Sequence, residues 1–292
     1  MSHSSALTLL LPEFARVERT RQLALWLTRG DRLPNAKSDR DAALRECFEF
    51  IGTTLPVAAL TRSLDAGDAS GAQWLRADPA YAMADTVTAR LMACGELGLS
   101  QAESDELARA LRPLFGDAGF PLEAPRPDRW YLSCPLDARL PAFADPRDVL
   151  GDDLMRHLPR GDNERQWRSL FNEAQVILHN HPVNARRVQR GQVPANSLWF
   201  WGAGKLPDWV RTRFAQVASP DPVVAALAKL ARIPVVDMQA ALAKPDADIL
   251  LDAAEVSAID TRRFSGIVLL FASGERVHYR NAHHWRFWRR VR

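Results

Sequence analysis

Helical and strand-like patterns alternate along the whole 292-residue chain, and this alternation restricts the fold more than any other feature. Short apolar runs predict strands at residues 6–11, 130–134, 197–201 and 248–251, and a hairpin over 266–280. Apolar residues at helical spacing predict helices at residues 39–51, just after Pro56, and at 83–94, 101–115, 162–180 and 221–231. Interleaved helices and strands are typical of the α/β class.

The clearest helix covers residues 162–180 and is followed by a strand that ends in glycines. Asp162 or Asn163 can cap this helix, and Pro182 stops it. After a polar loop, the strand at 197–201 runs into a predicted tight turn at 202–205, Gly-Ala-Gly-Lys. The turn lacks the remaining residues of a nucleotide-binding phosphate loop. It is either a plain strand exit or an anion-binding turn that uses Lys205.

The positive net charge of +3 belongs to the C-terminus rather than to the whole chain. Residues 276–292 contain six Arg and no acidic residue, so residues 1–275 hold 32 basic and 35 acidic residues. This distribution excludes an evenly basic, nucleic-acid-coating protein. The tail mixes rings with cations at Arg280, Trp285, Arg286, Trp288, Arg289 and Arg290. It suits either single-stranded nucleic acid or, as we favour, a last strand whose aromatic residues pack on the body.

The sequence lacks the motifs of several enzyme classes and of membrane proteins. The chain has no Gly-x-Ser-x-Gly element, and Cys47, Cys94 and Cys134 lack metal-ligand spacing. The first apolar run, residues 7–11, is too short for a signal peptide or a membrane span. We therefore expect reduced thiols in a cytoplasmic protein that does not associate with membranes.

The densest polar cluster is His-Asn-His-Pro-Val-Asn at residues 179–184. Two His at i and i+2 of one helix do not share a face, which argues against a shared metal ion. Arg186, Arg187 and Arg190 follow this cluster, and together with Arg160 they could bind a phosphate or carboxylate through their planar guanidinium groups. The alternative is a solvated basic loop.

The segment from 148 to 207 resembles the archaeal-type cofactor-independent phosphoglycerate mutases of the alkaline-phosphatase superfamily. The resemblance is carried by the runs DVLGDDLMRHLPRG at 148–161, LHNHPVNARR at 178–187 and PANSLWFWGAGKLP at 194–207, with a weaker extension to 74–79. It covers roughly half the chain. The whole chain is still more similar to the RpfE-type regulatory proteins of bacteria.

This resemblance implies an α/β fold with a shortened alkaline-phosphatase-like core and an inserted α/β region that resembles a substrate domain. The core would comprise residues 1–72 and 206–292, and the insert residues 73–205. The residues expected to line a ligand pocket are Arg76, Asp78, Arg160, His181, Asn184, Arg187, Asn196 and Lys205. For each of them a role in folding alone is an equal alternative.

The resemblance also implies that the metal centre of the family is degenerate in this chain. The family uses two metal ions, an N-terminal Asp-Gly element, a phosphoryl-carrying serine and C-terminal Asp and His ligands, and loss of the ligands should abolish transfer. Here Pro12-Glu13-Phe14 follows the first strand, residues 248–255 occupy the place of the ligand-bearing strand, and no His lies between His181 and His278.

We therefore expect a non-catalytic regulatory or ligand-sensing protein without a cofactor, which binds a small phosphorylated or carboxylate anion and, in a regulatory role, a protein partner. One alternative is an active mutase or phosphatase relative, which would need manganese or magnesium. The other is a nucleic-acid-associated module that uses the Arg and aromatic tail.

Overall fold

The computed structural model describes residues 5–18, 20–84, 88–243, 247–252 and 264–286. The chain divides into two compact units. Met1–Thr53 and Pro207–Arg292 form the terminal unit, and Thr54–Leu206 form the central unit. Each unit combines a β-sheet with helices, so the predicted α/β class is confirmed.

The terminal unit is built on a six-stranded sheet in the order β2-β11-β10-β1-β9-β8. Its strands are β1 (Ala6–Leu11), β2 (Asp31–Arg32), β8 (Gln216–Ala218), β9 (Ile249–Asp252), β10 (Gly266–Phe271) and β11 (Arg276–Arg280). Its helices are α1 (Arg21–Arg29), α2 (Arg40–Cys47), α8 (Pro222–Leu230) and α9 (Met238–Ala243). The strands predicted at 6–11 and 248–251 and the hairpin over 266–280 are thereby confirmed.

The central strand β1 explains why this sheet forms. It pairs in parallel with both β9 and β10, and Leu9 lies between Leu251 and Leu269. Parallel strands are covered on both faces and therefore read as continuous apolar runs. One face packs around Trp26 of α1 and Phe264, while α2 and α8 contact β10 and β8.

The central unit is built around a second sheet. Its strands are β3 (Gln73–Ala84), β4 (Ala89–Cys94), β5 (Leu122–Arg126), β6 (Arg129–Cys134) and β7 (Ser197–Lys205). Its helices are α3 (Val57–Asp65), α4 (Gln101–Asp117), α5 (Pro146–Val149), α6 (Glu164–His179) and α7 (Pro182–Gln189). The 12-residue β3 pairs with β6 along its first half, with β4 along its second half and with β7 on its other edge.

Three local predictions in the central unit are wrong. Residues 83–84 end β3 and residues 89–94 form β4 rather than a helix, because Ala84 pairs with Ala89 and Ala82 with Leu91 across the sheet. This pairing overrides the helix propensity of the Ala and Met residues in the segment. Residues 182–189 form helix α7 instead of a loop, because Pro182 is well suited to the first turn of a new helix.

The third error concerns the glycines at 202 and 204, which lie within β7 and do not form a turn. They let helix α3 approach the strand closely. A Cβ at Gly202 would lie 2.8 Å from the Val57 Cβ, and a Cβ at Gly204 would lie 2.6 Å from the Pro56 Cβ. Gly202 also has a φ of +66°, which favours glycine.

Helix α3 belongs to the central unit, so this unit begins at Thr54, earlier than the insert boundary expected after residue 72. The physical reason is a set of side-chain contacts from α3. Arg62 bonds Glu123 of β5, and Thr61 accepts a hydrogen bond from Arg76 of β3. The roles assigned to the two parts stay predictions. In the described part of the chain, no helix has both the length and the apolar character needed to cross a membrane.

Gly202→Ala should destabilise the central unit by about 2–4 kcal/mol, because it adds both a clash and backbone strain. Gly116→Ala is the matched control, since Gly116 lies in α4 and a Cβ there meets nothing within 4 Å. The control should raise stability by about 0.5–1 kcal/mol. Urea unfolding followed by circular dichroism measures both, and equal midpoints for the two variants would contradict the close-approach explanation.

Candidate functional site

A groove of about 820 Å³ lies in the central unit and contains three of the predicted site residues, His181, Asn184 and Asn196. One wall comes from the ends of α6 and α7. The other comes from Tyr81 to Ala84 at the end of β3, with Ala89 at the start of β4. The sequence motif and the groove therefore coincide at these three positions.

The junction between α6 and α7 shapes the groove. Helix α6 ends at His179, and Pro182 opens α7 in a new direction because its ring cannot continue the preceding helix. His181 caps α7: its Nδ1 accepts a hydrogen bond of 3.3 Å from the Val183 backbone N–H. Since the helix breaks here, His179 and His181 both line the groove. The expectation that the two histidines lie on different faces of one continuous helix therefore does not apply.

Burial lowers the pKa of His181 and so favours the neutral imidazole; nearby Arg186 acts in the same direction, against the opposing effect of Glu106. Because Nδ1 accepts the capping bond, the proton of the neutral ring lies on Nε2. In the described structure no hydrogen bond occupies that Nε2–H, so His181 offers one donor at the groove.

Asn184 and Asn196 hold the backbone that surrounds the groove. The Asn184 Nδ2 donates to the carbonyl oxygens of Leu178 and Ala195, at 2.7 and 2.9 Å, and its Oδ1 accepts from the Ala195 N–H. Asn196 makes a reciprocal pair with Ala82, at 2.9 Å to the N–H and 2.8 Å to the carbonyl. Asn196 directly precedes β7, and its side chain therefore joins the start of β7 to the end of β3.

The described lining of the groove contains no Lys, Arg, Asp or Glu side chain; residues 85–87, between the lining residues Ala84 and Ala89, lie outside the described ranges. Its polar lining consists of amides, Tyr81 and the two histidines, and its apolar lining includes Val176 and Val188, which are 62% and 59% exposed. Exposed apolar side chains beside a few hydrogen-bonding groups are typical of small-molecule sites.

The predicted pair Arg76 and Asp78 lies in the interior of the central unit. The guanidinium donates twice to the carboxylate, Nε to Oδ1 and Nη2 to Oδ2, both at 2.8 Å. The carboxylate also accepts from the Trp201 Nε1 at 2.6 Å and from the Trp130 N–H at 3.3 Å. Burial disfavours the charged guanidinium, but the Asp78 charge outweighs this and raises the pKa of Arg76. Protein partners satisfy both groups.

Arg187 is also engaged by protein acceptors and is 1% exposed. Its guanidinium donates to the carbonyls of Val193, Leu97 and Gly98, and to the Glu103 carboxylate at 3.0 Å. These contacts tie α7 to the start of α4, where Glu103 belongs to the capping box. The structure therefore offers a folding role for Arg187.

The last two predicted residues lie elsewhere and are exposed. Arg160 follows the 3₁₀ turn Leu154–His157, and Lys205 ends β7; neither lines the groove. Within the described ranges, neither side chain makes an ion pair. The eight predicted positions therefore separate into a groove, two interior clusters and two surface cations.

The carboxyl edge of the parallel strands in the terminal unit is where an α/β fold commonly binds ligands. Two carboxylates lie there, Asp252 at the end of β9 and Asp221 after β8. Arg40 bonds both, at 2.6 and 2.9 Å, and Ser219 donates to Asp252 at 2.7 Å. The described residues contain no group of three or more His, Cys, Asp or Glu that could hold a metal ion. They do not fit a two-metal centre; residues 253–255 lie outside the described ranges.

Comparisons with known proteins give similarity over a short segment. No protein-family model matches the chain. A probable 2,3-bisphosphoglycerate-independent phosphoglycerate mutase of Geobacter sulfurreducens is 45% identical over 62 residues, 21% of this chain and 16% of that protein. The 2,3-bisphosphoglycerate-independent phosphoglycerate mutase of Methanothrix thermoacetophila is 42% identical over 66 residues, 23% of this chain and 17% of that protein. The chain thus covers less than a fifth of the length of these relatives.

Two solved structures align over more of the chain. A cofactor-independent phosphoglycerate mutase from Thermoplasma acidophilum covers 95% of this chain and 90% of its own, at 18% identity and a TM-score of 0.38. A protein from Pyrococcus horikoshii covers 94% and 86%, at 14% identity and a TM-score of 0.48. Neither similarity assigns a role to a residue of this chain.

Several groove residues were not predicted from the sequence, chiefly Tyr81, Met83, Val176 and Val188. Val176 and Val188 carried a signal, because each is an apolar residue outside the buried stripe of its helix. Tyr81 and Met83 carried none, since the β3–β4 pairing that places them is a tertiary property.

Arg187→Lys should destabilise the protein by about 2–4 kcal/mol, because an ammonium cannot reach the same carbonyls and Glu103 together. Arg190→Lys is the control, since Arg190 ends the same helix and is exposed. Chemical unfolding measures both changes. Unchanged stability of the Arg187→Lys variant would contradict the folding role and favour an anion-binding one.

His181 should make stability depend on pH. Its folded pKa lies below its unfolded value of about 6.5, so its contribution is complete above that pH and is lost as the pH falls through the folded pKa. His181→Asn keeps a capping acceptor but cannot titrate. Between about pH 7 and pH 5 the wild type should lose more stability than this variant, as measured by thermal unfolding. Identical pH profiles would contradict the assignment.

Proposed function

We propose that this chain is a non-catalytic ligand-sensing protein with a mutase-like central segment, and that the groove at the α6–α7 junction is its ligand site. The observation that carries the proposal is that His181, Asn184 and Asn196, chosen from the sequence motif alone, meet at one groove. The similarity to phosphoglycerate mutases at partial coverage supports a relationship in architecture.

The neutral lining favours a particular class of ligand. A phosphorylated anion needs cations or several free N–H donors, and Arg187, the predicted pocket cation on α7, is bonded to carbonyls and Glu103. The groove instead offers the His181 Nε2–H and amide groups beside Val176 and Val188. We therefore favour a small neutral molecule with an apolar arm and amide-like or hydroxyl groups over the anion expected from the sequence.

A non-catalytic role is supported by the carboxyl edge of the terminal sheet. Asp221 and Asp252 share an ion pair with Arg40, whose guanidinium competes with a divalent ion for their oxygens. Glu13, which stands after β1 where the mutase resemblance would have its Asp-Gly element, is exposed and pairs with Arg16. These residues are committed to ion pairs of the fold.

Saturation-transfer NMR with N-acetyl-leucinamide, a neutral probe with an apolar arm and two amides, tests the ligand class. Binding should be seen with the wild type, be lost in Val188→Asp, which places a charge in the groove, and persist in Val235→Asp, a matched exposed valine of the terminal unit. The proposal fails if 3-phosphoglycerate gives signal and the neutral probe does not, or if neither binds.

The catalytic alternative is tested in the same preparations by interconversion of 2- and 3-phosphoglycerate with added manganese. The Methanosarcina mazei enzyme, to which 62 residues of this chain are 42% identical, is the positive control. We expect no turnover by this chain. Turnover at a rate comparable with the control would overturn the non-catalytic proposal. It would not change the result of the ligand-binding test at the groove.

A further inference from the structure

The C-terminal segment is only partly used by the fold. In β11, Val277 and Tyr279 lie in the core, and the buried Arg276 pairs with Glu46 at 2.8 Å. The hairpin strand predicted over 276–280 is therefore confirmed, whereas the last strand favoured for the tail is wrong at residues 281–285, which form a 3₁₀ turn. The hairpin does not account for the residues that follow β11.

A 3₁₀ turn, Asn281–Trp285, follows the strand and is fastened to the terminal unit at two points. Asn281 donates to the Phe264 carbonyl at 2.7 Å, and the Arg280 N–H donates to the Nδ1 of the buried His283 at 3.2 Å. The turn ends in Trp285, which is 67% exposed and contacts the His284 ring at a tilt of 42° with the ring centroids 4.7 Å apart. A fixed backbone thus presents an aromatic face to solvent.

Two arginines hold the segment that carries this indole. Arg29, the last residue of α1, donates to the His284 carbonyl at 2.7 Å, and Arg286 donates to the Arg29 carbonyl at 3.1 Å and to Asp31. Arg280 is exposed, and in the described ranges it makes no ion pair. We define the Trp285 surface as Arg29, Arg280, Trp285 and Arg286. Beside these cations, Asp31 pairs with Arg286.

We propose that the Trp285 surface binds single-stranded nucleic acid, independently of the groove. A base stacks on the Trp285 indole, while the Arg280 guanidinium contacts a neighbouring phosphate. Trp288, Arg289 and Arg290 lie outside the described residues; by sequence they extend the same combination of rings and cations.

Charge and shape together favour a single strand over other polyanions. In a duplex the base faces are stacked on one another, so an exposed indole has no base to receive. Stable binding to an anionic membrane requires a broad apolar face in addition to cations. In the described part of this surface, Trp285 is the one exposed aromatic side chain.

Fluorescence anisotropy of the full chain with a labelled oligodeoxythymidylate of about 20 nucleotides tests the proposal. Trp285→Ala should weaken binding by about 5- to 100-fold, as expected for one lost base stack, and Trp285→Phe should restore most of it. Arg280→Gln should reduce the slope of log affinity against log salt by about 0.7. The control is Arg165→Gln, which removes one exposed charge from α6 and should leave the slope unchanged.

Three outcomes would overturn the proposal. One is the absence of binding at low salt. Another is binding that Trp285→Ala leaves unchanged although the variant unfolds at the wild-type temperature, since charge alone would then suffice. The last is cosedimentation with phosphatidylserine vesicles without binding to the oligonucleotide, which would identify the surface as a membrane contact.

Discussion

The central unit depends on one ion pair that is withdrawn from water in the middle of β3. Removing a guanidinium and a carboxylate from water costs several kcal/mol for each ion, and the pair is stable only if every group finds a partner. Asp78 meets this condition by accepting from Arg76, Trp130 and Trp201, which lie on β3, β6 and β7. The pair thus locks three strands in register, and the far end of β3 reaches the groove as a consequence.

The same logic explains what the polar residues of the mutase-like motif do in this chain. Three of its side chains bond mainly to backbone groups, namely those of Asn184, Arg187 and Asn196. Without them these backbone groups, at helix ends and near the end of β3, would lack partners. A polar motif can therefore persist because the backbone requires it, whether or not the protein performs the chemistry. His181 differs, because one of its nitrogens caps α7 and the other stays available to a ligand.

Local patterns were sufficient where a single element decides its own structure. Strand β1 was predictable because burial on both faces leaves a continuous apolar run. Helix α6 was predictable because burial on one face leaves apolar residues at helical spacing. The strand at 89–94 was not predictable, because its pairing with β3 determines it. The extension of β7 through Gly204 was not predictable either, because it depends on the close approach of Pro56. For the site, the residues His181, Asn184 and Asn196 were predictable from the motif. The opposite wall, Tyr81 to Ala84, was not.

The central claim, that the motif frames a neutral groove rather than an anion site, is tested most directly by mapping amide chemical shifts on the isotope-labelled protein. On addition of N-acetyl-leucinamide, the amides of residues 81–84, 175–181 and 188–189 should move, and 3-phosphoglycerate should leave them in place. The account would be contradicted if 3-phosphoglycerate moved the amides around Arg160 or Lys205 while the neutral probe moved none.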